Sequence, residues 1–264
     1  MSPHAQHRGC LMTGRVTLVG AGPGDPELLT FKAARAITRA TVLLVDDLVS
    51  DGVLAFANPS ARVVHVGKRG GCASTPQAFI EKLMLAEALK GEEVVRLKGG
   101  DPFMFGRGGE EAERLLAHGI AVEVVGGITS GMAAAAALGV PLTHRDHAHG
   151  VIFVTGHARA GADTLHWPTL GAAAAQGLTL VIYMGVSAID TLQAGLLHAL
   201  PASTPAAVVQ HASLPQQRQC VGTLGGLAAQ VRSERIGSPA IVIVGDVLRG
   251  IASLSASQGA AEAA

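Results

Sequence analysis

Short β-branched runs alternate with helical stretches along almost the whole chain, and this alternation limits the fold more than any other feature. RVTLVG (15–20), TVLLV (41–45), RVVHV (62–66), EVVRL (93–97) and AVEVV (121–125) read as strands. Between the first two lies an amphipathic helix with Leu29, Ala33, Ala36, Ile37 and Ala40 on one face and Lys32, Arg35 and Arg39 on the other. Asp25 and Pro26 form its expected N-terminus. Thr75 and Pro76 open a helix ending near Lys90, another spans 109–118, and Thr129 or Ser130 caps an alanine-rich one. After a break at VPLTHRDHAHG (140–150), strands are expected at 151–155, 178–183, 206–210, 218–223 and 240–245, with helices near 187–199 and 224–234.

Strand–helix alternation predicts sheets that are mainly parallel and covered on both faces. The expected organisation is an N-terminal tail (1–13), an α/β domain (14–146), a second α/β domain (147–250) and a C-terminal tail (251–264), with a cleft between the two domains.

Composition removes several classes of function. Lys+Arg and Asp+Glu balance at 20 each and aromatics are 3%, which suits neither a nucleic-acid binder relying on overall charge nor a base-stacking surface. Cys10, Cys72 and Cys220 are odd in number and widely spaced, so neither a disulfide framework nor a paired zinc spacing is present. The N-terminal residues lack the apolar run of a signal peptide, and GMAAAAALGV (131–140) is too short to span a bilayer. A cytoplasmic protein without membrane or nucleic-acid partners is expected.

Two glycine-rich loops, VGAGPGDPELLT (19–30) and RLKGGDPFMFGRGGEE (96–111), each follow a predicted strand and each contain Gly-Asp-Pro. Ligands of open α/β sheets sit outside the carboxyl ends of the strands, so both loops belong at a ligand edge. A dinucleotide site would use Asp46 as its ribose acid, but GAGPG is G-x-G-x-G and Pro23 removes a backbone donor. A P-loop lacks its Gly-Lys-Ser/Thr. His144, Asp146, His147 and His149 cluster in the break, at a spacing that fits no usual structural-zinc pattern.

VGAGPGDPELLT, DLVS (47–50), VGKR (66–69), the long loop, GITS (127–130), GVPLTHRD (139–146), TGH (155–157), YMG (183–185), GTL (222–224) and SPAIVIVG (238–245) occur in order. Together they resemble the tetrapyrrole methylase family over residues 15–250. The resemblance implies S-adenosyl-L-methionine as methyl donor, uroporphyrinogen III methylated at C2 and C7 to precorrin-2 as the reaction, and a homodimer. It places Gly99, Gly100 and Asp101 at the methyl donor, with Pro23, Met104, Thr129, Ser130, Met184 and Ala212 at other cofactor-contacting positions and the adenine on main-chain groups of the second domain. Asp101 suits the cationic amino group of the donor. Asp46 matches the family's base, Lys68 its proton donor, and Arg96 lies beside the same site. No metal is implied.

Three positions depart from the family pattern. Val45 stands where a tyrosine is common, on what is expected to be the substrate side; Gly126 replaces a proline; and HAS (211–213) replaces a glycine followed by a hydroxyl residue. Lys68, Arg69, Arg96, Lys98, Arg107 and Arg145 are expected to form a cationic rim for a polycarboxylate.

Overall fold

The computed structural model describes residues 14–67, 75–157 and 165–250. By contacts the chain divides into two units, Met1–Ile128 and Thr129–Ala264, each carrying a five-stranded sheet. This division falls earlier than the break in alternation at 140–150 suggested. The tails at 1–13 and 251–264 lie outside the described residues.

In the first unit the strands are β1 (Arg15–Gly20), β2 (Val42–Val45), β3 (Arg62–His65), β4 (Glu93–Lys98) and β5 (Ala121–Val125). They lie in the order β3-β2-β4-β1-β5, and every pairing is parallel. Helices α1 (Phe31–Arg39), α2 (Asp51–Leu54), α3 (Gln77–Leu89) and α4 (Gly108–Leu116) complete it. Side chains alternate across the pleat. Val19, Leu43, Val45, Val95 and Leu97 pack with Ala33 and Ile37 of α1. Val16, Leu18, Leu44 and Val94 pack on the opposite face with Ile80 and Met84 of α3 and Leu115 of α4. Burial on both faces explains why these strands read as continuous apolar runs.

The first helix starts later than Asp25 and Pro26 suggested. Asp25 caps only a short 3-10 turn, Pro26–Leu28, because Leu29 returns to extended backbone. Thr30 then caps α1, its hydroxyl oxygen accepting from the Ala33 N–H at 3.1 Å.

The second unit holds α5 (Ser130–Ala137), β6 (Gly150–Thr155), α6 (Trp167–Ala174), β7 (Leu178–Tyr183), α7 (Ile189–Leu196), β8 (Pro205–Gln210), β9 (Arg218–Thr223), α8 (Leu227–Ser233) and β10 (Ala240–Val244). Its strand order is β6-β7-β10-β8-β9. The expectation of mainly parallel sheets holds for the first sheet and not for this one. Only β6 and β7 pair in parallel; the other three pairings are antiparallel. The link from β8 to β9 covers only residues 211–217, too short for a helical crossover, so β9 must run back beside β8. Because β10 is antiparallel to both β7 and β8, strands β6, β7 and β8 still end on one edge.

Candidate active site

Strands β1 and β4 are neighbours, yet the helices that follow them, α1 and α4, cover opposite faces of the sheet. Their loops therefore diverge at a topological switch point, where open α/β sheets bind ligands. Gly22 and Gly100 tie the two loops together by exchanging both backbone hydrogen bonds, at 3.1 and 2.6 Å. Both glycines have positive φ, +71° and +69°, a conformation that costs glycine nothing and a β-branched residue a good deal.

Part of the glycine density also serves close packing of backbone on backbone. A Cβ on Gly20 would lie 2.6 Å from the Gly100 carbonyl oxygen, and one on Gly127 would lie 2.3 Å from the same atom. Asp101 fastens these loops. Its Oδ1 accepts from the Phe103 and Met104 amides at 2.8 and 3.2 Å, and its Oδ2 accepts from the Gly127 amide at 3.1 Å. Its carboxylate is thus first an organiser of its own loop and of the loop that follows β5. Half-buried, it keeps lone pairs for a cationic group, and Pro23, Gly99, Gly100 and Met104 in these loops are half-buried with it. Such a cradle fits the carboxylate-and-backbone requirements of S-adenosyl-L-methionine.

A second cluster lies on the α4 face of β4. Arg96 and Lys98 alternate with apolar residues on that strand, so both point to the same side, and only 2% and 3% of their surfaces are exposed. Between them lies Glu111 of α4, fully buried. Its Oε1 accepts from Arg96 Nε at 3.2 Å, Lys98 Nζ at 3.1 Å and Gln77 Nε2 at 3.0 Å. Arg96 Nη1 donates to the carbonyls of Leu44 and Leu97, each at 3.3 Å. Arg96 Nη2 reaches Asp46 Oδ2 at 3.4 Å. Asp46 follows β2, and its side chain is 36% exposed, whereas Arg96, Lys98 and Glu111 are buried. Burial holds the Lys98 ammonium below the ordinary lysine value; neighbouring Arg96 pushes the same way, and Glu111 and Asp46 oppose.

The structure therefore joins Asp46 and Arg96, as expected, and revises the cationic rim. Arg96 and Lys98 are interior ion-pair partners rather than rim residues, because the pleat turns them under α4. Arg107 is exposed and paired with Glu110 at 2.6 Å, and Arg145 is exposed on the second unit. Lys68 and Arg69 lie outside the described residues. Val45 is a core residue, 1% exposed, because alternation turns it away from Asp46. Its departure from the family pattern falls in the α1 core rather than on a substrate face. Glu111 was missed in the sequence, where it reads as one more acid in GRGGEE. The available signal was its spacing from Gly108 and Leu115, both buried on the same face of α4.

In the second unit, Thr129 is buried and its hydroxyl lies 2.7 Å from the Tyr183 hydroxyl, which also accepts from the Gly131 amide at 2.8 Å. The chain's single tyrosine thereby caps the start of α5, beside Ser130. Met184 leaves the end of β7 at φ +54° and is 46% exposed. Ala212, buried after β8, is flanked by His211 and Ser213 at φ +50° and +71°. Strained backbone of this kind clusters at ligand sites. Met184 and Ala212 both follow strands that end on one edge of this sheet.

Among the described residues no group of three or more His, Cys, Asp or Glu side chains is placed to hold a metal ion. His144 and His147 stack on each other at 4.5 Å. A groove of about 260 Å³, lined in part by Arg15, Lys32, Arg35 and Arg39, opens near the starts of β1 and β4, the end of the sheet opposite the glycine-rich loops. No described helix is long and apolar enough to cross a membrane.

Two α/β units, the first with paired glycine loops at its switch point and a buried ion cluster reaching one open carboxylate, define a fold shared with solved methyltransferases. A uroporphyrin-III C-methyl transferase from Thermus thermophilus, complexed with S-adenyl homocysteine, superposes with a TM-score of 0.76 at 42% identity, over 89% of this chain and 99% of that one. A cobalt precorrin-4 methyltransferase superposes at 0.79 with 29% identity, over 89% and 95%. The tetrapyrrole (corrin/porphyrin) methylase pattern matches residues 15–228, and the chain belongs to that family.

The uroporphyrinogen-III C-methyltransferase of Pseudomonas aeruginosa is 53% identical over 243 residues, covering 92% of this chain and 97% of that protein. A siroheme synthase of Azotobacter vinelandii is 48% identical over 237 residues, and there the chain spans 50% of the relative's length.

Proposed function

We propose that this protein transfers methyl groups from S-adenosyl-L-methionine to C2 and C7 of uroporphyrinogen III, giving precorrin-2 for sirohaem- or cobalamin-type tetrapyrrole synthesis. The observation that carries this reading is the 53% identity with the Pseudomonas aeruginosa enzyme across 97% of its length. Shape at the β1–β4 switch point supports it, as does the Asp46–Arg96 pair.

When bound, S-adenosyl-L-methionine supplies an electrophilic methyl group on a positively charged sulfur. In this proposal Gly99, Gly100 and Asp101 hold it in the first unit with Pro23 and Met104, and Thr129, Ser130, Met184 and Ala212 contribute from the second. Alignment of a pyrrole carbon with that methyl supplies most of the rate. The methylated macrocycle must then lose a proton. Asp46 accepts it at a carboxylate oxygen, so that one proton is lost for each methyl cation gained, and Arg96 fixes the orientation of that carboxylate through Nη2; Lys68 matches the family's proton donor. A cytoplasmic homodimer is part of the same reading.

The test is incubation with uroporphyrinogen III and S-adenosyl-L-methionine, followed by mass and absorption analysis. Two added methyl groups and the precorrin-2 spectrum are the expected result. Methylation of another tetrapyrrole only, or none, overturns the substrate assignment.

A further inference from the structure

We infer that Glu111 is a positioning residue for the Asp46 base, its buried carboxylate anchoring the Arg96 guanidinium so that the guanidinium's far nitrogen meets Asp46. The inference rests on the proposed role of Asp46 and adds a residue that does not touch substrate.

The geometry runs in one line. Glu111 Oε1 holds Arg96 Nε at 3.2 Å, two main-chain carbonyls hold Nη1, and only Nη2 is left to reach Asp46 Oδ2 at 3.4 Å. Arg96 is thus fixed at two of its three nitrogens before it meets the carboxylate. Lys98 and Gln77 bond the same Oε1, at 3.1 and 3.0 Å, and so hold that oxygen in place.

Stability alone does not account for such a cluster. Buried ion pairs replaced by well-packed apolar residues are often neutral or stabilising, so a fold-only role would be served as well by leucine and methionine. Among the described residues Glu111 Oε2 is moreover buried without a hydrogen-bond partner, a cost that a purely structural acid would have little reason to carry.

Charge balance gives the acid a second part. Arg96 and Lys98 carry two positive charges, and Glu111 and Asp46 carry two negative ones. When Asp46 takes a proton from the substrate carbon, it becomes neutral and Glu111 is the remaining anion facing two buried cations. Without Glu111 that state would hold two unopposed cations in the interior, which is strongly unfavourable. Glu111 therefore stabilises the protonated state of the site as well as its geometry.

The experiment is a double-mutant cycle between Glu111→Gln and Asp46→Asn, read as kcat, as KM for uroporphyrinogen III, and as S-adenosyl-L-methionine affinity. Misplacing a catalytic group costs up to about 10²-fold, so Glu111→Gln should lower kcat by about 10- to 10²-fold with cofactor affinity unchanged. In the Asp46→Asn background the same change should lower kcat by no more than about twofold, since groups acting as a unit are not additive. Multiplying losses, or an unchanged kcat in Glu111→Gln, overturn the inference.

Should Glu111→Gln fail to fold, Glu111→Gln with Lys98→Met removes one charge of each sign, and the same cycle is run on that pair. Failure of both to fold makes Glu111 a folding residue and also overturns the inference. The parent protein is assayed alongside. Absence of methyl transfer by the parent, or normal kcat in Asp46→Asn alone, refutes the underlying reading rather than the role of Glu111.

Discussion

Among the described residues, the first unit buries four charged side chains, Glu87, Arg96, Lys98 and Glu111, whereas the buried polar side chains of the second are Thr129, Thr179 and Thr204. The sheets differ in the same sense. The first is all-parallel, and its strands end at two mutually bonded glycine loops. The second is antiparallel except for β6 and β7, and of its candidate residues Met184 is held at positive φ and Ala212 lies between two residues that are. The buried polar side chains of the first unit are thus mostly ionisable, and those of the second are hydroxyls. Substitutions at the ion cluster of the first unit should therefore strike turnover, those at its glycine loop should strike cofactor binding, and those at the hydroxyl pair of the second unit should strike stability.

The largest expected effect is on Asp46. Asp46→Asn keeps the size of the side chain and removes its ability to accept a proton, and a positioned base contributes about 10²–10⁴-fold to rate. Methyl transfer should fall by that order while S-adenosyl-L-methionine affinity, measured calorimetrically on the same preparation, stays within about twofold. Equal losses of rate and affinity would move Asp46 into the cofactor site and break the division between the ion cluster and the glycine loop.

Next is Gly100, which has φ +69°. A branched side chain there must adopt a conformation costing about 1–3 kcal/mol and would crowd a ligand held against the loop. Gly100→Val should melt at a lower temperature and bind S-adenosyl-L-methionine more weakly. A folded variant that binds as tightly as the parent would show that the paired loops are structural only.

In the second unit the hydroxyl of Tyr183 serves both Thr129 and Gly131. Tyr183→Phe leaves those two buried groups unpaired, at a cost of about 1–3 kcal/mol of stability by denaturant unfolding. The comparison is sharpened if kcat at saturating substrates is unaffected. A kcat loss as large as that of Asp46→Asn would place proton chemistry in the second unit too.

The smallest effect is expected at Glu87, the buried acid of the first unit that lies outside the catalytic cluster. Hydrogen bonding from Lys90 holds its carboxyl below the ordinary glutamate value of 4.5; burial opposes this, and Arg62 reinforces it. A depressed folded-state value means stabilisation that is present above pH 4.5 and lost as pH falls through the folded value. Both partners are about half exposed, 51% and 61%, so the pair contributes no more than about 1 kcal/mol. Glu87→Gln should flatten the acid side of the melting-temperature profile and leave turnover at neutral pH unchanged. A steep acid limb retained in the variant would show that the limb does not come from Glu87.

The alternation of apolar runs with amphipathic helices was enough to locate all ten strands and the glycine loops, because period-two and period-3.6 patterns are local properties of the chain. Patterning placed the loops after strand ends, whereas the choice of Gly99, Gly100, Asp101, Asp46 and Arg96 within and beside them came from the resemblance of the surrounding motifs to the family. Tertiary structure decided the rest. Strand direction in the second sheet depends on how a short link such as 211–217 can close, which apolar patterning does not encode. The division after Ile128 depends on which sheet the alanine face of α5 covers. Arg96 and Lys98 read as surface cations until α4 brings Glu111 over them, since whether a charge is a rim residue or an interior ion pair depends on what packs above it, far away in sequence.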